Sequence, residues 1–437
     1  MTLLRELAAF VTNANAFDLP QLDRDILRRH AADAVVGRIV GARAQEGAAL
    51  TNIFGTGQSP EAFAGLAGLV RLTEMDDIHI ASTTTPSSVA VPIALALASS
   101  TGCQPQTIES AIYVGTELLV RFGKAMDGAR AISRGFWPTR SAATLAACAT
   151  AARIQGLTED ETHEALSLAA IMTSGKSGRF NREPSGRWIV FSMAVANGLR
   201  CALAARNGFN GSSMPPDAAW IASSLGTEFD GDKLTRSLGQ RSVYPELSLK
   251  PYGTARQCLS AAEAMRELVA DGLDPMTIKK ISIRVPTDHV SMISQKLDPK
   301  IRASSFVSVA AQVATAAVAP SELYDVERTN VLANAEIFRL AQLCEIVGDP
   351  GLDAIFPNVW AAQLDVLTLT GAFNCRVDEP VGSPKNRMND IQLAEKAQAM
   401  LGRIGQAHRA NDIIELSKSA FSDIRSAEAL CSIFVAG

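Results

Sequence analysis

Ile278-Lys279-Lys280-Ile281-Ser282-Ile283-Arg284-Val285 is the stretch that decides the fold. Apolar and polar side chains alternate along it, the pattern of a strand with one buried face, and Pro286 ends it. Upstream the periodicity is different. Residues 22–40 place Leu22, Ile26, Leu27, Val35, Val36 and Ile39 at helical spacing, with charges between them. Helical segments follow at 88–100, 107–122, 141–155, 159–172 and 189–206, punctuated by Gly115, Gly156, Gly198 and Gly208. Alanine is abundant and aromatic residues are only 5%, so the helices can approach closely and a dense helical core is expected. Downstream, 303–318 returns to helix, and 359–369 and 372–377 can pair as strands around Thr370-Gly371. Residues 391–435 are helical again. The expectation is a mainly α protein with a large all-helical domain over 1–265 and a smaller α+β domain over 266–390. Helices over 391–437 return to the first domain. No internal repeat is visible.

Composition excludes several classes. The 437 residues are 47% hydrophobic and 20% charged, too apolar for a disordered chain. Net charge is −4, which is no footprint for nucleic acid. It still permits a local basic pocket for an acidic small molecule. Seven cysteines, an odd number with no CxxC pair, argue against a disulfide framework and favour a reducing cytoplasm. The five histidines form no HExxH pattern, so no metal is expected. The first residues lack a long apolar core, so no signal peptide is expected. No apolar run approaches about 18 residues, so no membrane span is expected either.

Three constellations could carry chemistry. Glu74-Met75-Asp76-Asp77-Ile78-His79 precedes the hydroxyl-rich run 81–88, where Thr85 reads as a helix N-cap and Pro86 as the first helical residue. That is either a carboxylate seat beside a proton-accepting aspartate or a capped helix with a solvated acidic loop. His79 follows the acidic pair and is the one histidine kept as a candidate; His30, His163, His289 and His408 are set aside. The run 174–188 gathers Lys176, Arg179, Arg182 and Arg187 among glycine, serine and asparagine. It suits carboxylates held in bidentate forks, or is a solvated surface loop. Tyr244–Gln257 places Lys250, Tyr252 and Arg256 near a helix start and the expected domain boundary, where pockets form; otherwise it is a structured linker.

Together these segments resemble the MmgE/PrpD family, which includes 2-methylcitrate dehydratase, cis-aconitate decarboxylase and iminodisuccinate epimerase. The resemblance runs through Asp76-Asp77, Thr85-Pro86-Ser87-Ser88, 114–121, Gly135-Phe-Trp-Pro-Thr139 and 154–157. It continues through Lys250-Pro-Tyr252, 304–308 and Gly382-Ser-Pro-Lys-Asn386. It implies a helical domain, an α+β lid with the site between them, a homodimer, no cofactor, and proton removal next to a carboxylate. Where the family shows His-Pro and His-Pro-Thr, this chain has Thr85-Pro86 and Trp137-Pro138-Thr139, so it reads as a divergent member without the usual histidines. The resemblance places Asp76, Asp77, Lys250 and Tyr252 as catalytic groups. Thr85, Ser87, Trp137, Arg182, Arg187 and Arg256 are placed around a small carboxylate substrate. The expected function is a cofactor-independent lyase or isomerase of altered specificity. The alternatives are a catalytically silent carboxylate-binding homologue and a helical interaction scaffold, the last disfavoured by the absence of repeats.

Overall fold

A computed structural model describes residues 2–173, 175–176, 185–211 and 216–437. The helices fall where the periodicity places them: Gln21–Gly41, Ala90–Thr101, Pro105–Ala125, Pro138–Gln155, Glu159–Ile171 and Gly186–Arg206. Alanine sets how they pack. Ala142, Ala143, Ala146, Ala147 and Ala149 on Pro138–Gln155 are buried, and flanking helices Pro105–Ala125 and Gly186–Arg206 close in over them. Among these, Glu159–Ile171 has its start fixed by a reciprocal capping box of Thr158 and Glu161. Gly186–Arg206 is the one described helix long and apolar enough to cross a membrane, which the sequence reading did not expect; most of it is buried in the fold.

Two hydrophobic cores result. The larger gathers residues from Leu4 to Leu249 together with Leu393, Met400, Ile413, Leu430 and Phe434, so the helices Asp390–Gly402, Ala410–Ser419 and Ile424–Ala436 pack on the first half of the chain. The smaller begins at Tyr252 and runs to Val377. Helix Arg256–Ala270 buries Cys258, Leu259, Ala262 and Met265 in this second core.

Strands are few. A short antiparallel ribbon joins β1 (Ile78–His79) to β2 (Leu247–Ser248). The second core is built on a sheet in the order β4-β3-β5-β6, where β3 is Ile278–Val285, β4 Cys344–Gly348, β5 Ala362–Thr368 and β6 Ala372–Val377. In β3, Ile278, Ile281, Ile283 and Val285 are buried in the second core, whose helix Arg256–Ala270 packs on β5 and β6 and whose helix Val309–Val318 meets β4. Lys279, Lys280 and Arg284 face out. Arg284 meets Asp365 across the β3–β5 pair at 2.8 Å. β5 and β6 form the expected hairpin, Leu364 opposite Cys375. β4 was not foreseen: its five residues do not alternate cleanly, and it is held by parallel pairing with β3 from Ile281–Cys344 onward.

Two local expectations are corrected. The helix read over 303–318 is broken at Ser308, whose hydroxyl caps Val309–Val318 by accepting from the Ala311 amide. Thr85 does not cap a continuous α-helix. Pro86–Ser88 is a 3-10 turn, the α-helix begins at Ala90, and the Thr85 hydroxyl bonds the Ser88 hydroxyl at 2.9 Å.

Candidate functional site

Helix Pro60–Arg71 ends in a turn that throws its last charge inward. Arg71 is buried, and the chain continues through Glu74, which adopts a left-handed backbone (φ 53°) unusual for a residue with a side chain. The Arg71 guanidinium reaches Glu74 Oε2 at 2.9 Å and Asp76 Oδ1 at 3.1 Å. From the other core, the connector 249–255 crosses this turn: the Thr254 amide donates to the Glu74 carbonyl at 3.2 Å. Gly253 permits the crossing, since a Cβ there would lie 2.9 Å from Phe306 and 3.2 Å from the Thr73 carbonyl.

The crossing delivers Lys250. Its ammonium sits 3.4 Å from Asp76 Oδ1 and 3.7 Å from Glu74 Oε2, and donates to the Thr254 carbonyl at 3.2 Å. Arg187, from the start of Gly186–Arg206, pairs with Glu74 Oε1. Trp137 and Trp188 wall the group; the Arg187 guanidinium lies 4.1 Å from the Trp188 ring centroid, and Arg71 lies 5.5 Å from both rings.

This cluster holds three cations against two carboxylates, leaving one positive charge unmatched when Lys250 is protonated. Several polar atoms in it are buried with no partner among the described residues: Asp76 Oδ2, Arg71 Nε, Arg187 Nε and Trp188 Nε1. Burial pushes Lys250 down to about 8, Asp76 pulling it back up. Burial also lowers Arg187 well below its ordinary value, with the neighbouring Arg71 adding to the fall. A lysine that titrates near neutrality beside a carboxylate with a free oxygen can pass protons in either direction.

A second layer lies behind the first. Asp77 accepts from the Ser87 amide at 3.0 Å, the Ser87 hydroxyl at 2.6 Å and His30 Nδ1 at 2.8 Å. It anchors the 3-10 turn rather than offering a free oxygen. Lys396 pairs with Asp33 at 2.6 Å and donates to the Met75 carbonyl at 3.1 Å, clamping the residue before Asp76. Thr85 meets Thr139 at the start of Pro138–Gln155, its amide donating at 3.2 Å.

The structure therefore brings Asp76, Lys250, Arg187 and Trp137 into one cluster, with Asp77, Ser87 and Thr85 adjoining through the turn. Tyr252 stands elsewhere: its hydroxyl donates to Glu263 at 2.8 Å inside the second core, because the connector turns it away from Lys250. Arg256 is also apart, weakly bonded to Ser260 at 3.5 Å and Ser383 at 3.4 Å. Arg182 lies outside the described residues. His79 bonds Glu246 and Ser82, both at 2.9 Å, in a separate group with Lys124. Sequence reading missed Arg71, Glu74, Trp188, His30 and Lys396. Glu74 opened the acidic run and stands three residues after Arg71, a spacing that pairs charges at a helix end; the other three gave no local signal.

Comparison with known proteins identifies the family. The MmgE/PrpD N-terminal domain matches residues 5–223 and the MmgE/PrpD C-terminal domain matches residues 252–420. Over 238 residues the chain is 26% identical to Cis-aconitate decarboxylase-like protein oryM of Aspergillus oryzae (strain ATCC 42149 / RIB 40). That match covers 51% of this chain and 49% of the relative, about half of each. The N-terminal match lies within the larger core, the C-terminal match covers the smaller core and the helices Asp390–Gly402 and Ala410–Ser419 that return to the larger one, Lys250 falls between the two, and the chain belongs to the MmgE/PrpD family.

Proposed function

We propose that the protein is a cofactor-independent lyase or isomerase that removes a proton next to a carboxylate in a small acid. The observation that carries this is the buried pairing of Asp76, one oxygen free, with a lysine lowered to about 8. Arg71 and Arg187 would take a substrate carboxylate, and the unmatched positive charge would stabilise the enolate-like charge of the transition state. Asp76 Oδ2 accepts the proton as the C–H bond breaks, and its electron pair moves into the carboxylate-stabilised carbanion. Lys250 then donates a proton, to carbon for isomerisation or to a departing hydroxyl for dehydration. In the decarboxylating variant, named in the relative above, CO₂ leaves and the proton goes to the carbon it vacates. Asp77 acts as a positioning residue through Ser87. In keeping with the family, the active form is taken to be a cytoplasmic homodimer.

The test is solvent exchange. Incubate cis-aconitate, citrate and related acids with the protein in D₂O and follow the α-proton by NMR. Exchange or product formation is expected, lost in Asp76→Asn and in Lys250→Ala. Exchange at the parent rate in Lys250→Ala refutes the assignment. A ligand that raises the melting temperature but never exchanges supports the silent binding homologue instead.

A further inference from the structure

The Lys250–Asp76 pair stands on two stretches of chain, the turn 72–77 and the connector 249–255, and neither lies in a helix or a strand. The second core supplies what holds them. Arg328 is completely buried, yet its bonds go to main chain: one terminal nitrogen donates to the Glu322 carbonyl at 2.7 Å and the other to the Gly253 carbonyl. Gln312 Nε2 donates to that same carbonyl at 3.3 Å. The Gly253 carbonyl and the Thr254 amide are the two ends of one planar peptide and point opposite ways. The amide end donates to the Glu74 carbonyl at 3.2 Å. One rigid unit is thus gripped by a guanidinium at one end and fastened to the acidic turn at the other. The next carbonyl along, that of Thr254, receives the Lys250 ammonium at 3.2 Å. Arg302 holds the turn itself, donating to the Leu72 carbonyl at 3.2 Å and the Val326 carbonyl at 2.8 Å while its Nε meets Glu46 at 2.8 Å. Both guanidiniums lie over the Phe306 ring, Arg328 at 4.6 Å and Arg302 at 5.1 Å from its centroid.

Arg328 occupies its place at two costs. Burial brings its guanidinium down to about 9, with Asp325 pulling it back up, and its Nε is left without a partner among the described residues. Its backbone is left-handed, φ 58°, which is unfavourable for a residue with a long side chain. Such strain persists only where the surroundings hold it, and it gathers at functional positions. A glycine at 328 would bear neither cost, and it would leave the Gly253 carbonyl to Gln312 alone. We infer that Arg328 is a positioning residue, acting through the 253–254 peptide to hold Lys250 against Asp76. This rests on the lyase or isomerase reading for what the pair is used for, whereas the placing of Lys250 is measurable with no substrate present.

The test reads the Lys250 proton. Asp76, Glu74, Arg71 and Lys396 are the charged groups that face this ammonium. Urea unfolding of the full chain at pH 7 and pH 10.5 is compared with that of Lys250→Met, first in the parent and then in Arg328→Met. Subtracting Lys250→Met within each background cancels the other titrating groups, Arg328 included. The difference is expected to rise with pH in the parent, and that rise to fall by at least half in Arg328→Met. A released connector lets water reach the amine, whose proton affinity then returns toward that of an ordinary lysine. Gln312→Leu strips the second donor from the Gly253 carbonyl and leaves the guanidinium in place. It is expected to reduce the rise less, and it decides the matter if Arg328→Met does not fold. A rise undiminished in Arg328→Met, or in Gln312→Leu where the former does not fold, overturns the inference and leaves the lyase reading intact. A difference that does not rise in the parent overturns both. A rise halved in Arg328→Met, in a protein that exchanges no α-proton in D₂O, supports the positioning role and sinks the lyase reading alone.

Discussion

Replacing Lys250 by methionine isolates the energetic cost of the buried ammonium. The side chain is 1% exposed and its folded value is about 8, against 10.5 for a free lysine. A gap of that size corresponds to about 3 kcal/mol of differential stability between the two protonation states. The sign follows from proton counting. Below pH 8 both the native and unfolded chains hold the proton, and the native state bears the full burial cost. Between pH 8 and 10.5 the native state has released it while the unfolded state keeps it, so this group makes stability rise with pH. Lys250→Met has no such proton. It leaves Asp76 with Arg71 alone. Urea unfolding followed by tryptophan fluorescence at pH 7, 8, 9, 10 and 10.5 gives both curves. Parent stability minus variant stability is expected to climb by about 3 kcal/mol from pH 7 to 10.5. A flat difference would refute the depressed lysine, and with it the proton donor of the proposed reaction.

Three further outcomes are expected. Asp77→Ala removes the acceptor for three hydrogen bonds and strands His30 and Ser87, lowering stability by about 2–4 kcal/mol in thermal or urea unfolding; Ser87→Ala costs less. Gly253→Ala forces a methyl against Phe306 and the Thr73 carbonyl, costing about 1–3 kcal/mol and reducing activity by shifting Lys250, both read on the purified variant. Glu246 is held at about 2 by its bonds to His79 and Lys124, below its ordinary 4.5, so the stability it contributes is lost as pH falls from 4.5 through 2. Glu246→Gln should flatten that part of the acid-unfolding curve relative to the parent.

The fold was legible where a segment's own periodicity settles its structure. Ile278–Val285 alternates because one sheet face is covered, and Gln21–Gly41 repeats because one helix face meets the core. β4 was not legible, since a parallel partner 60 or so residues away holds it rather than its own pattern. The site divides the same way. Asp76 and Lys250 were found because carboxylates and a lysine in short motifs stand out. Tyr252 was grouped with Lys250 by sequence proximity, yet the bent chain over 251–254 turns its ring into the other core. His30 was set aside as a lone histidine, and only the tertiary fold shows that Asp77, 47 positions later, binds it. Long-range pairing of buried polar groups leaves no local trace when the partners lie far apart along the chain.

Lys396 has a consequence for how the molecule comes into being. It lies in the helix Asp390–Gly402, yet its ammonium clamps the Met75 carbonyl and Asp33 near the front of the chain. A ribosome must therefore synthesise the 321 positions that separate Met75 from Lys396 before the loop bearing Asp76 can be fastened. The nascent protein can lay down its helical body early, but the turn beside Met75 stays unclamped until that late helix has emerged.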